Sequence, residues 1–203
     1  MGRLGGTSPA ALRARCRDWI QARRPPVWVV SLLAAAAASS SPAAAAADCA
    51  HAGAPPAQLS TPAARHTLQC LVNRVRREHG LQPVRSEGRL EQAAASHSAD
   101  MTRHRYFGHE RPGGGDGLGA RVRRTGYLDG ARRWWIGEAL AWGRGRAGTP
   151  SSILQALLAS PPHRAILLDP SFRDVGVGLV HGAPSGRGAG ALTITLDFGR
   201  RGR

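Results

Sequence analysis

The chain has 203 residues, a length that allows one ordinary domain with additions, or two small ones, and excludes three. Hydrophobic residues, at 42%, supply a core, while 26 Gly, 14 Pro and runs of Ala mark stretches that cannot contribute to one. The net charge of +15 rests on 28 basic residues that are all Arg, and Arg-only usage beside abundant Ala and Gly fits G+C-rich coding as well as any partner, so charge alone names no function.

Residues 1–47 read as a secretory signal. Arg13, Arg15, Arg17, Arg23 and Arg24 precede an apolar run from Val27 to Ala38, and Ser39, Ser40, Ser41, Pro42 and five alanines follow. This is a basic n-region, an h-region and a small-residue zone, with Ala45 and Ala47 placed for cleavage before Asp48. The alternative, an uncleaved anchor, would need about 20 strongly apolar residues, and no transmembrane segment is expected once the signal is gone. Without residues 1–47 the chain keeps 22 Arg against 12 acids and two cysteines, Cys49 and Cys70. An even count in an exported protein favours a Cys49–Cys70 disulfide over two free thiols or metal ligation, and the latter has no CxxC to support it. On a chain-entropy argument a loop of about 20 residues makes such a bridge worth ~3 kcal/mol.

Residues 48–62, with Pro55, Pro56 and Pro62, show no hydrophobic period and read as a flexible segment pinned by the disulfide, so the domain is expected over 63–203. Leu68, Leu71, Val72, Val75 and His79 place one stripe on a helix that Gly80 ends. A second helix opens near Ser86 and carries Leu90, Ala94, His97 and Met101 on one face, and Asp116 is placed to cap a third over about 117–125. Trp134 to Trp142 is aromatic and apolar with one embedded acid, which suits a buried strand or an extended segment. Ser151 or Ser152 starts a helix stopped by Pro161 and Pro162, and a short helical turn is expected over 163–168. Val175, Val177 and Leu179, then Leu192, Ile194 and Leu196, alternate as two strands about a Gly-rich loop, which gives a mixed α+β layer fold.

Common chemistries fail by spacing. No G-x-S-x-G is present, and after His109-Glu110 the Pro112 breaks any helix on which an H-E-x-x-H could form. The glycines at 113–119 do not satisfy G-x-G-x-x-G, and the scattered Arg residues lack an aromatic platform, so no specific nucleic-acid partner is expected. Three titratable residues in unusual settings remain: His109 after Tyr106-Phe107-Gly108, Glu138 inside Trp134-Trp135-Ile136-Gly137-Glu138-Ala139-Leu140, and His163 in Ser160-Pro161-Pro162-His163-Arg164. They could hold a divalent metal, move protons, or serve structural hydrogen bonds, and a carboxylate in Glu138's setting needs a donor or a cation. His97, on an apolar helix face, reads as a core or boundary histidine.

The ordered set Phe107-Gly108-His109, Arg121 to Gly126-Tyr127, Gly137-Glu138, Ser160-Pro161-Pro162-His163-Arg164, Val175-Gly176-Val177-Gly178 and Thr195-Leu196-Asp197-Phe198-Gly199 resembles the bacterial branch of the CAP (SCP) superfamily over about residues 66–199. The resemblance implies a three-layer α-β-α sandwich, secretion, and a cleft lined by His109, Glu138 and His163; some members bind a divalent metal such as zinc through the two histidines, and others bind sterols, lipids or glycans. This chain departs from the family pattern at Ala139 and Leu157, and Ile153 to Ala159 holds no second cleft acid, which removes paired acid–base chemistry. The first expectation is therefore an extracellular or envelope-associated binding module for a metal or a small amphipathic ligand, with Arg side chains meeting anionic envelope polymer. The alternatives are a metal-assisted hydrolase with Glu138 as general base, and a structural envelope protein.

Overall fold

The computed structural model describes residues 49–186 and 188–202, so the expected signal at 1–47 lies outside the described residues. In chain order the elements are α1 (Thr61–Glu78), β1 (Arg85–Ser86), α2 (Gly88–His104), α3 (Leu118–Arg124), β2 (Arg133–Arg144), α4 (Pro150–Ala159), α5 (Pro161–Leu167), β3 (Asp174–His181) and β4 (Ala191–Gly202). The sheet runs β1-β3-β4-β2, with β1 parallel to β3 and the other two pairings antiparallel.

Strand alternation sorts the layers. Val175, Val177 and Leu179 of β3 and Leu192, Ile194, Leu196 and Phe198 of β4 share one core with Leu68, Leu71, Val72 and Val75 of α1 and Ile153, Leu154 and Leu157 of α4. On the opposite face the intervening glycines let α2 lie directly on the sheet. A Cβ on Gly176 would stand 2.1 Å from the Leu90 carbonyl carbon, and one on Gly178 would stand 2.0 Å from that of Ala94. Leu90 and Ala93 of α2 then join Val122 of α3, Tyr127 and Leu128 in a second core. Helices on both faces of the sheet make the α-β-α sandwich of the α+β class.

The helix starts follow cap chemistry, with two shifts from expectation. The Glu87 carboxylate, rather than Ser86, accepts from the Arg89 and Leu90 amides at 2.8 and 2.9 Å to begin α2. Asp116 does not cap α3: Gly117 holds that position, and the Asp116 carboxylate is drawn instead to Arg124. Thr149 caps α4, and the prolines expected to stop that helix also open α5, where the missing amide costs nothing. The tryptophans correct a further expectation. Strand β2 is buried only through its middle, and Trp134, Trp135 and Trp142 are 40%, 44% and 42% exposed because they lie toward the two ends of an edge strand.

The Cys49–Cys70 disulfide is formed. It is not the sole attachment of the leading segment, since Cys49 and Leu59 enter the core, Thr67 donates to the Ala50 carbonyl and the Ser151 amide to that of Ala52. Arg76, fully buried in α1, donates to the carbonyls of Gln82, Leu167 and Asp169 at 3.0, 2.7 and 3.1 Å, and so ties α1 to the end of α5.

Candidate functional site

Glu138 of β2 stands opposite Asp197 of β4, and Asp197 opposite Gly176 of β3, which puts both acids on the α2 face of the sheet. The Glu138 side chain is 3% exposed. Its Oε1 accepts from His109 Nδ1 at 2.7 Å, and its Oε2 accepts from the buried Arg121 guanidinium of α3. The cation that a buried carboxylate here requires is therefore Arg121. The same guanidinium donates to the carbonyls of His109 and Asp116 at 3.0 and 2.6 Å, holding the loop that carries His109. His97 of α2 braces that loop from behind by donating from Nε2 to the Gly108 carbonyl at 3.0 Å, and it lies 3.8 Å from Glu138, a charge contact beyond hydrogen-bond length.

The electrostatics follow from this packing. Burial pushes Glu138 up, but the His109 hydrogen bond and the Arg121 and His97 charges outweigh it and hold the carboxyl below its ordinary range. The hydrogen bond to Glu138 in turn raises His109. Because Glu138 is ionised it can only accept, so His109 donates from Nδ1 and its Nε2 carries the free lone pair when the ring is neutral. Burial lowers His97 against the opposing pull of Glu138. His163, near the start of α5, is lowered by burial and then by the charge of His109. Asp197 is fully buried, and burial, the adjacent Glu138 charge and its side-chain interaction with Glu138 push it well above the carboxylate range against the pull of Arg121.

Of the three residues singled out by sequence, His109 and Glu138 are in direct contact, while His163 feels the charge of His109 alone. They do not form a three-ligand metal set: among the described residues no group of three or more His, Cys, Asp or Glu is arranged to hold an ion. Glu138 stands behind His109 as an acceptor at Nδ1, the partner that metal-binding histidines usually have. Sequence reasoning assigns no role to Arg121 or Asp197. The available signal for Arg121 is the unmet need of Glu138 for a cation, and for Asp197 it is the polar side of the alternation Leu192, Ile194, Leu196.

The sequence profile of the cysteine-rich secretory protein family, CAP, matches residues 70–198. The chain belongs to this family. A relative, the Bacillus subtilis protein YkwD, is 30% identical over 115 residues, which are 54% of this chain and 40% of YkwD, so this CAP chain spans less than half of that relative. Among solved structures, an outer surface protein of Borrelia burgdorferi is similar with a TM-score of 0.59 at 18% identity, covering 71% of this chain and 97% of that one. An extracellular protein containing an SCP domain from Bacillus anthracis is similar with a TM-score of 0.50 at 24% identity, covering 70% and 44%. These likenesses establish the CAP fold. Among the described residues no helix is long and apolar enough to cross a membrane.

Proposed function

We propose that this CAP domain is an exported binding module whose cleft offers the imidazoles of His109 and His163 to a divalent metal ion such as zinc. One observation carries the reading: Glu138, itself fixed by Arg121, occupies Nδ1 of a His109 side chain that is 60% exposed, so the ring is oriented and its Nε2 is left for a ligand. A bound ion would supply Lewis acidity. Phe107, two residues before His109, and Trp142 line an apolar hollow of about 240 Å³ with Tyr106 and Pro184, which suits the apolar part of a small amphipathic ligand. Export is supported by the signal-like residues 1–47 and by the extracellular and outer-surface descriptions of the two structural neighbours.

The hydrolase reading needs Glu138 to take a proton from water. A 3% exposed carboxylate with both oxygens engaged and a lowered pKa is poorly placed for that, and its part is to position His109. Calorimetric titration of zinc into the purified protein tests the proposal. One site in the parent and none in a folded His109→Ala, His163→Ala variant is expected; no binding by the parent, or undiminished binding by the variant, would overturn it.

A further inference from the structure

The loop that carries His109 leaves α2 at His104 and enters α3 at Leu118. Glycines lie on both sides of the imidazole: Gly108 just before it, and Gly113 and Gly114, at φ of 84° and 103°, in an exposed turn soon after. Backbone of this kind swings freely unless its flanks are tied. Asp100, near the end of α2, ties both. It accepts from the Tyr106 hydroxyl at 2.6 Å and from Arg111 Nε at 3.3 Å, both on Oδ2, while Arg111 Nη2 donates to Oδ1. Tyr106 stands three residues before His109 and Arg111 two residues after it, so one carboxylate closes the chain around the imidazole and leaves the Gly-rich turn outside. His104, whose Nδ1 lies 3.0 Å from Oδ1 of Asp100, belongs to α2 itself and holds no part of the loop.

The charge states suit such a grip. Burial pulls Asp100 up, but the Arg111 and Tyr106 hydrogen bonds outweigh it and hold the carboxyl below its ordinary range. Burial and the bond to Asp100 push the Tyr106 hydroxyl up to about 12, so it keeps the proton it donates. An ionised acceptor makes these bonds charge-assisted, roughly twice as strong as neutral ones. The other ties on this stretch act on the backbone: His97 holds the Gly108 carbonyl and Arg121 the His109 carbonyl, each at 3.0 Å. They fix where the chain passes and leave the flanks of the imidazole to Asp100.

We propose that Asp100 is a positioning residue for His109, gripping Tyr106 and Arg111 so that the imidazole meets Glu138 at 2.7 Å and turns Nε2 toward a ligand. Its effect on metal affinity rests on the reading of the cleft as a zinc site; its hold on the imidazole does not.

Solvent exchange of the His109 Nδ1 proton, read by NMR of the zinc-free protein, tests that hold. The parent should show a protected proton. Asp100→Asn, which keeps the size and removes the charge, should speed its exchange about 10-fold, and so should Tyr106→Phe, Arg111→Gln, which removes the same bonds from the loop side. All three substitutions together should be no faster than the pair, since the grip is already gone. Asn73→Ala, which loses two hydrogen bonds to Val84 in a different part of the fold, should lower the urea midpoint and leave the proton protected. Calorimetry should show Asp100→Asn binding zinc about 10-fold more weakly than the parent. If the parent takes no zinc, the metal reading fails and the exchange result alone decides the role of Asp100. Unchanged exchange in Asp100→Asn or in the loop pair, an equal loss of protection in Asn73→Ala, or undiminished zinc affinity of Asp100→Asn beside a parent that binds would overturn it.

Discussion

Glu138 acts on its neighbours through one charge with two consequences: it makes His109 a better base and keeps Asp197 an acid. In Glu138→Gln the hydrogen-bonded charge is gone while burial and Arg121 remain, so His109 should titrate at or below its ordinary 6.5, read from imidazole NMR shifts against pH. In the parent, the raised His109 contributes stability that is fully present below pH 6.5 and is lost as pH rises through its folded value. Asp197 works in the other sense. Its folded pKa is raised, so folding must take up a proton, and stability falls by ~1.4 kcal/mol per pH unit from about 3.8 up to the raised value. Glu138, with a lowered pKa, opposes this by stabilising above 4.5 and weakening as pH falls. The difference between parent and Asp197→Asn isolates the Asp197 slope, because the variant cannot ionise. Urea unfolding from pH 4 to 7 should show the two stabilities diverging in the variant's favour, and parallel curves would contradict a buried neutral acid.

At the scale of elements, periodicity in the sequence locates the helices and the long strands, but faces and covers are different things. The alternation of Val175, Val177 and Leu179 with glycine marks a strand; that the glycines admit the α2 backbone follows only when the two elements meet. Gly176→Ala or Gly178→Ala should therefore cost about 3 kcal/mol or more in denaturant unfolding, since neither the strand nor the helix backbone can yield as a side chain would. The tryptophans of β2 escape sequence reasoning for the same reason: an aromatic run shows apolar content and cannot show that the strand lies at an edge. Arg76 has nothing local to mark it within an Arg-rich helix, yet it satisfies carbonyls at the end of α5 and just after it. Arg76→Met leaves those groups buried without a donor, and a loss of about 3 kcal/mol is expected in denaturant unfolding; a loss under about 1 kcal/mol would mean that water replaces it.

Across the whole molecule the residues around Glu138, with His163 proposed beside them, come from segments that only the fold unites. His109 comes from the loop after α2, Glu138 from β2, His163 from α5, Arg121 from α3 and Asp197 from β4. The first three are legible in the sequence because each sits in an odd local setting within an ordered family pattern. Arg121 and Asp197 fall in the same ordered motifs, but their roles are not legible, because nothing local distinguishes one Arg among 28 or one acid in a strand. In the proposed site Glu138 holds His109 by Nδ1 so that Nε2 faces a ligand together with His163. Long-range proton–nitrogen NMR correlations of the His109 ring, recorded above its raised pKa with and without zinc, test it most directly. The expected result is a proton on Nδ1, a bare Nε2, and a zinc-induced shift of His109 Nε2 accompanied by His163. A proton on Nε2, or a His109 ring that zinc leaves unmoved, would contradict it.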